Sequence, residues 1–328
     1  MKRIFIFCLC LTSCSPVVPL ENPFDKTLKG YQGSEQHADS KTLRILAIDV
    51  GQGDSTLMIG PSGKTLLVDA GPVTAGINSV LPTLASLSIN HLDWILATHF
   101  DADHIGGISE VLKGPDQISN TEDDLTPLSG ILDRGDDTDK NTPTYKNYLA
   151  EINSRERHTV TPGMKLELGH GAEVTAIVVN GHYSDGRLIH LNPDEENESC
   201  IGLLVTYGNF HYFTAGDLTG GGISREETKD METTAGEIIG DIDILHVGHH
   251  GSRTSTNEHF LNLITPEAAV ISVGHPNDYG HPAPSTLGKL QKIKATLYRT
   301  DQMGTIDIET DGNTYQIRNL LTPSSLRE

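Results

Sequence analysis

From residue 42 onward the chain alternates short apolar runs with stretches whose apolar positions recur at helical spacing, the pattern of an α/β domain built in layers. Residues 44–50, 55–59 and 65–68 read as an opening meander of three strands, punctuated by Gly51-Gln52-Gly53 and Pro61-Ser62-Gly63. Residues 76–89 place Ile77, Val80, Leu81, Leu84 and Leu87 on one helical face. A short apolar strand at 94–97 then delivers the chain into a polar run starting at Thr98, with a helix beginning near His104. Further strands are expected at 165–168, 173–179, 200–207, 210–214 and 242–247, and a helix at 145–154. Between the two sets, residues 114–141 read as an acidic insertion, with Glu122-Asp123-Asp124 and Asp136-Asp137 grouped in it. Its stretch 116–124 suits either a solvated loop or a calcium cradle.

The first residues follow a different rule. Lys2 and Arg3 precede an apolar run from Ile4 to Leu11 that is too short to span a bilayer, as in a secretory signal. The run closes on Leu11-Thr12-Ser13-Cys14, which resembles the lipobox of bacterial lipoproteins; the resemblance makes Cys14 a lipid-bearing residue, and a plain signal cut near Ser15 is the alternative. The expected organisation is therefore a signal peptide over 1–14, a flexible tether over 15–41, a folded domain over 42–320 and a tail over 321–328, exported and lipid-anchored to the bacterial envelope. Cys8 and Cys10 leave with the signal, so Cys200, in an apolar run, is expected as a small core residue and no disulfide framework arises.

Charge narrows the function classes. With 44 acidic against 24 basic residues and a formal charge of −20, the surface as a whole repels polyanions, which argues against a strong duplex DNA binder. Lys64, Arg253 and Lys289 are scattered candidates for holding phosphate and form no basic patch. Beyond the membrane and a substrate, no protein partner is indicated.

The chemistry concentrates after the strand at 94–97. His99, Asp101, Asp103 and His104 fall within one short turn, close enough to converge on a pair of divalent ions that clamp a hydrolytic water. Asp69, Asp217, His249 and His250 each follow another expected strand, the place where open α/β sheets meet their ligands. Singly, each of these suits a turn cap or a satisfied core residue; together they read as one centre.

The ordered set Asp69, His99-Phe100-Asp101-Ala102-Asp103-His104, Asp217 and His249-His250-Gly251 resembles the motifs of the metallo-β-lactamase superfamily. Asp49-Val50-Gly51-Gln52-Gly53-Asp54-Ser55, Ala215-Gly216-Asp217-Leu218 and Tyr279-Gly280-His281-Pro282 are further similar to the hydrolase domain of ComEC-type DNA-internalisation proteins. The resemblance implies an αββα sandwich, two β-sheets flanked by helices, and two divalent ions, zinc or manganese. It implies His99 and Asp101 on one ion, Asp103, His104 and either His249 or His250 on the other, Asp217 bridging, and Asp69 orienting a ligating histidine. Asp103, His281 and Asp69 are the catalytic candidates, with His281 protonating a leaving oxygen or holding a phosphate. Gln52 and Asp54 lie in a turn that approaches the same cavity or simply serves as a turn.

Two departures bear on the chemistry. Asp101 stands where the superfamily motif has a second histidine, and Asn197-Glu198-Ser199-Cys200 stands where a further histidine is expected. Oxygen in place of nitrogen raises the preference for harder ions, so a mixed or manganese-tolerant centre is expected. The implied activity is hydrolysis by a metal-bridged hydroxide, with a phosphodiester as substrate, including single-stranded nucleic acid. A phosphorylcholine-type esterase, a β-lactamase and a non-catalytic metal-binding lipoprotein are the alternatives, in that order. No later segment has the apolar length of the ComEC membrane channel, so a role in DNA import does not carry over.

Overall fold

The computed structural model describes residues 41–137, 140–193, 195–222 and 228–320. The expected signal segment with Cys14, the tether up to residue 40 and the tail 321–328 lie outside those residues. The chain opens with β1 (Leu43–Ala47), β2 (Thr56–Ile59) and β3 (Thr65–Val68), an antiparallel meander in the expected order. The β2–β3 turn closes through Gly60 N donating to Lys64 O, which puts Lys64 at the opposite strand end from Asp69.

A helical turn over Gly76–Val80 runs into α1 (Leu81–Ser86), and β4 (Trp94–Leu96) returns parallel to β3. After α2 (Ala102–Ile105) and α3 (Ile108–Leu112), β5 (Gly130–Asp133) adds parallel to β4; α4 (Pro143–Ile152) then leads to β6 (Arg157–Thr159). Thr142 caps α4 by accepting from Tyr145 N, and Pro143 occupies the first helical position, where a missing N–H costs nothing.

Here the expected acidic insertion is corrected. The segment 114–141 is not a single excursion, because its residues Gly130–Asp133 are buried and sit inside the sheet between β4 and β6. Two apolar residues between a glycine and an aspartate are too short a run to stand out against the surrounding charge. The acidic stretch before it folds on itself: Asp116, Asp123 and Asp124 accept backbone N–H groups of Ile118, Asp116 and Asn120, and Asp124 also pairs with Arg155 at 3.1 Å.

The second half contributes β7 (Lys165–Gly169), β8 (Ala172–Val179), β9 (His182–Tyr183), β10 (Gly202–Tyr207), β11 (Phe210–Thr214), β12 (Ile244–His246), β13 (Ala268–Ile271) and β14 (Thr296–Arg299). Between them lie α5 (Glu232–Ile239), α6 (Glu258–Ile264) and α7 (Pro284–Lys292). After α8 (Thr300–Met303) the chain crosses back, and β15 (Ile306–Thr310) and β16 (Tyr315–Asn319) close the edge of the first sheet against β1. The first sheet runs β16-β15-β1-β2-β3-β4-β5-β6 and the second β14-β13-β12-β11-β10-β8-β7, with β9 on β8.

Alternation along the strands produces the layers. In β1, Leu43, Ile45 and Ala47 face the second sheet, where they meet Val174, Leu203, Tyr212 and Ile244. Leu46 of β1 and Leu57 of β2 face the other way, onto Leu81, Ile108 and Tyr148 of the helices. Phe213, Leu245 and Ala269 do the same on the outer face of the second sheet against Ala235, Phe260 and Leu290. The order is helices, sheet, sheet, helices, as expected, with each buried aliphatic side chain contributing about 1.5–3 kcal/mol. Cys200 is buried and free, and burial pushes its thiol well above the usual range, so it is a core residue without nucleophilic character. Among the described residues no helix is long and apolar enough to cross a membrane.

Candidate metal centre

β3 and β4 are parallel in one sheet, and β11, β12 and β13 are parallel in the other, so their C-terminal ends bring chemistry to one place. Asp69 follows β3, the 98–104 turn follows β4, Asp217 follows β11, His249 and His250 follow β12, and Ser272 follows β13.

Asp69 is buried with φ at 56°, a left-handed conformation that a non-glycine residue adopts only under constraint. Its carboxylate accepts from Thr98 N at 2.8 Å and Thr98 Oγ1 at 2.6 Å, which ties the start of the turn to β3. It also lies 2.8 Å from His104 Nδ1, so the histidine donates there and turns Nε2 inward. The orienting role expected for Asp69 thus has its geometry. Gly216, just before Asp217, has φ of 51°, and a Cβ there would come within 2.5 Å of Thr98 Oγ1; only glycine lets the two turns meet.

Two groups of donor atoms converge: His99, His104 and Asp217, and Asp103, His104 and His250. His99 Nε2, His104 Nε2, His250 Nε2 and Asp217 Oδ1 are all buried without a hydrogen-bond partner. His104 Nε2 comes within 3.1 Å of Asp217 Oδ1 without hydrogen-bond geometry, and His250 Nε2 within 3.3 Å of Asp103 and 3.6 Å of Asp217. Unpartnered buried nitrogens and a carboxylate oxygen facing each other are costly in a protein interior and fit cation ligands. The residues present therefore fit divalent ions.

The electrostatics agree. Burial alone would raise the Asp217 carboxyl, yet His249, His104 and His250 hold it well below the usual range. Burial would lower His250, but the nearby carboxylates of Asp217 and Asp103 push it up to about 9. His104 is raised well above its usual value in the same way, by Asp217 and Asp69 against burial. His99 goes down, from burial and then from His104 beside it, their rings 4.2 Å apart. The carboxylates gather positive charge, as protons here and as metal in a loaded site.

His249 and His250 are not equivalent. His250 Nδ1 faces the Ser272 carbonyl at 3.0 Å, which fixes the proton on Nδ1 and leaves Nε2 to the centre. His249 Nε2 is 3.5 Å from Asp217 Oδ2, while its Nδ1 meets Asn197 Nδ2 at 3.4 Å and Thr254 Oγ1 at 3.3 Å. It belongs to neither convergent group.

Asp101 also stands apart. Its carboxylate pairs with Lys140 Nζ at 2.8 Å, is 40% exposed, and stays 3.7 Å from His99 Nε2. Lys140 is shared with Glu196 at 2.9 Å; Glu196 in turn accepts from Phe100 N at 2.7 Å and pairs with Arg134, whose guanidinium lies over the Phe100 ring. Where a histidine was expected, Asn197-Glu198-Ser199-Cys200 thus supplies a partner for His249 through Asn197, and Glu196 just before it clamps the 98–104 turn. Nothing in the sequence marked Lys140 or Arg134, which lie within the acidic segment.

A cavity of about 530 Å³ opens beside His249 and His281, lined also by Ser252, Arg253, Thr254, Tyr279 and Ser285. Burial and then His249 and His250 push His281 down to about 4, so its imidazole is neutral at pH 7. Lys289 donates instead to Ser255 O. Asp54 is buried behind the centre, 3.1 Å from His246 Nε2, and Gln52 accepts from Gly274 N. The glycine-flanked turn therefore does approach the site, while its partner His246, inside β12, carried no signal of its own.

A family model described as metallo-beta-lactamase superfamily matches residues 48–275. The chain is 28% identical over 260 residues to competence protein ComA of Neisseria gonorrhoeae, covering 79% of this chain and 31% of that protein. It is 27% identical over 285 residues to ComE operon protein 3 of Bacillus subtilis, covering 79% and 32% respectively. The chain thus spans about a third of the length of these relatives. Among solved structures it resembles a putative metal-dependent hydrolase from Parabacteroides distasonis, with a TM-score of 0.45 and 14% identity over 79% of this chain and 93% of that one.

Proposed function

The chain belongs to the metallo-β-lactamase superfamily of metal-dependent hydrolases, and from its site we propose that it hydrolyses phosphodiester bonds. The supporting observation is the pairing of a mixed donor set, the carboxylates of Asp103 and Asp217 with the imidazoles of His99, His104 and His250, with a cavity lined by hydroxyls and a guanidinium. Divalent ions bound by these residues supply Lewis acidity toward the phosphoryl group and an activated water. With two carboxylates among these five donors, manganese would be held as well as zinc.

The chain's own residues do the rest. Asp69 holds His104 in its tautomer, and the Ser272 carbonyl does the same for His250. Arg253, Ser252 and Thr254 face the cavity where phosphate oxygens would lie, and the neutral His281 donates an N–H to one of them. The strongly acidic surface favours a small or single-stranded substrate, held by local charge, over a duplex.

The test is a hydrolysis panel: bis(p-nitrophenyl) phosphate, short single-stranded DNA, a phosphorylcholine ester and a cephalosporin, each with manganese and with zinc. Turnover of the diesters that disappears in Asp217→Asn supports the proposal; cleavage of the cephalosporin alone, or of none, overturns it.

A further inference from the structure

The cavity beside the centre has one feature that phosphate binding does not use. Tyr279 lines it and is 71% exposed, the most exposed large hydrophobic side chain among the described residues. Its ring stacks on His281, centroids 5.7 Å apart and planes 24° from parallel. His281 is itself packed edge-on to His249, with centroids 5.5 Å apart. The phenol is thus held against a stacked imidazole beside the histidine that approaches Asp217.

We propose that Tyr279 is a specificity-determining platform on which a flat ring of the substrate, a nucleobase or an aryl group, stacks while the adjoining phosphoryl group occupies the centre. The proposal rests on the phosphodiesterase reading and names its substrate class. Two observations favour a flat ring over a rounded cation such as choline. An aromatic cage needs several ring faces turned toward one point, whereas Tyr279 is the sole phenylalanine, tyrosine or tryptophan among the described residues lining the cavity. The His281 ring already covers Tyr279 on one side, which leaves a single face. A volume of about 530 Å³ falls within the range of small-molecule sites.

The experiment is calorimetric titration of the manganese-loaded protein with thymidine monophosphate, deoxyribose phosphate and phosphocholine, for wild type, Tyr279→Phe and Tyr279→Ala. Wild type is expected to bind thymidine monophosphate about tenfold more tightly than deoxyribose phosphate, the range of a single base stacked on an aromatic side chain. Tyr279→Phe keeps that ratio and Tyr279→Ala reduces it to about two or below. Equal affinity for the two phosphates in wild type, a ratio that survives Tyr279→Ala, a preference for phosphocholine, or no binding at all overturns the platform. Ring-selective binding without hydrolysis of any diester leaves the platform standing and removes the phosphodiesterase reading. Hydrolysis of ring-bearing and ring-free diesters at equal KM does the reverse.

Discussion

His250 donates its Nδ1 proton to the Ser272 carbonyl 3.0 Å away, and this one bond separates two adjacent histidines into different roles. With Nδ1 committed, Nε2 is the nitrogen turned toward Asp103 and Asp217, where its lone pair is available to a cation held by those carboxylates. His250→Ala is therefore expected to weaken metal binding by more than the roughly 10–100-fold that loss of an outer partner costs, and His249→Ala by less. Competition against a chromogenic chelator measures both; equal losses would return the two histidines to the same footing.

Asp69 acts through its neighbours. Asp69→Asn keeps the size but removes the charge that His104 Nδ1 meets, and it breaks one of the two bonds to Thr98. Metal affinity should fall about 10–100-fold, with the folded state retained on circular dichroism. An unchanged affinity would mean that the His104 tautomer is fixed by something other than this carboxylate.

Asp101 was expected as a ligand, and its pairing with Lys140 leads to a different expectation. Asp101→Asn should lower metal affinity less than about tenfold, whereas Asp217→Asn should remove stoichiometric binding, because Asp217 Oδ1 is a buried unpartnered oxygen within reach of both His104 and His250. Metal content after dialysis decides between them, and a protein that loses half its metal with Asp101→Asn restores the sequence-based assignment.

These expectations show where the sequence was readable. Parallel strand ends are announced by short apolar runs, so the sequence alone groups Asp69, Asp217 and the 98–104 turn at one centre. The opening meander followed from the short apolar runs and a layered α/β domain from helical spacing in 76–89, whereas the four-layer sandwich was implied by the family resemblance. What could not be read was chemistry carried by the main chain or by distant charge. A carbonyl such as that of Ser272 has no signature, and Lys140 and Arg134 look like countercharges in an acidic stretch until the fold sets Arg134 over Phe100 and Lys140 between Asp101 and Glu196. Asn197 was noticed as a missing histidine, and its contact with His249 depends on two loops meeting across more than one strand.

Away from the metal, Glu232 is buried and accepts from Thr256 N at 2.7 Å and Asn257 N at 3.0 Å, holding the loop that carries Thr254 against His249. Burial pushes its carboxyl from 4.5 up to about 8. The folded state then binds more protons than the unfolded one between those values, so this group's stabilisation is complete below pH 4.5 and is lost as pH rises toward 8. Urea unfolding at about pH 5 and about pH 8 should show wild type losing stability relative to Glu232→Gln across that interval. Parallel pH profiles for the two proteins would contradict it.

The position of Ser272, at the end of β13, also sets an order of events during synthesis. Every imidazole and carboxylate of the centre has left the ribosome by the time residue 250 emerges, yet the acceptor that orients His250 arrives later, and β15 must then travel back to pair with β1. A nascent chain therefore displays a loose set of chelating side chains before it owns a defined coordination site. A coordination site completed by Ser272 and by the return of β15 would therefore select its ion late in folding, after every ligating side chain is already present.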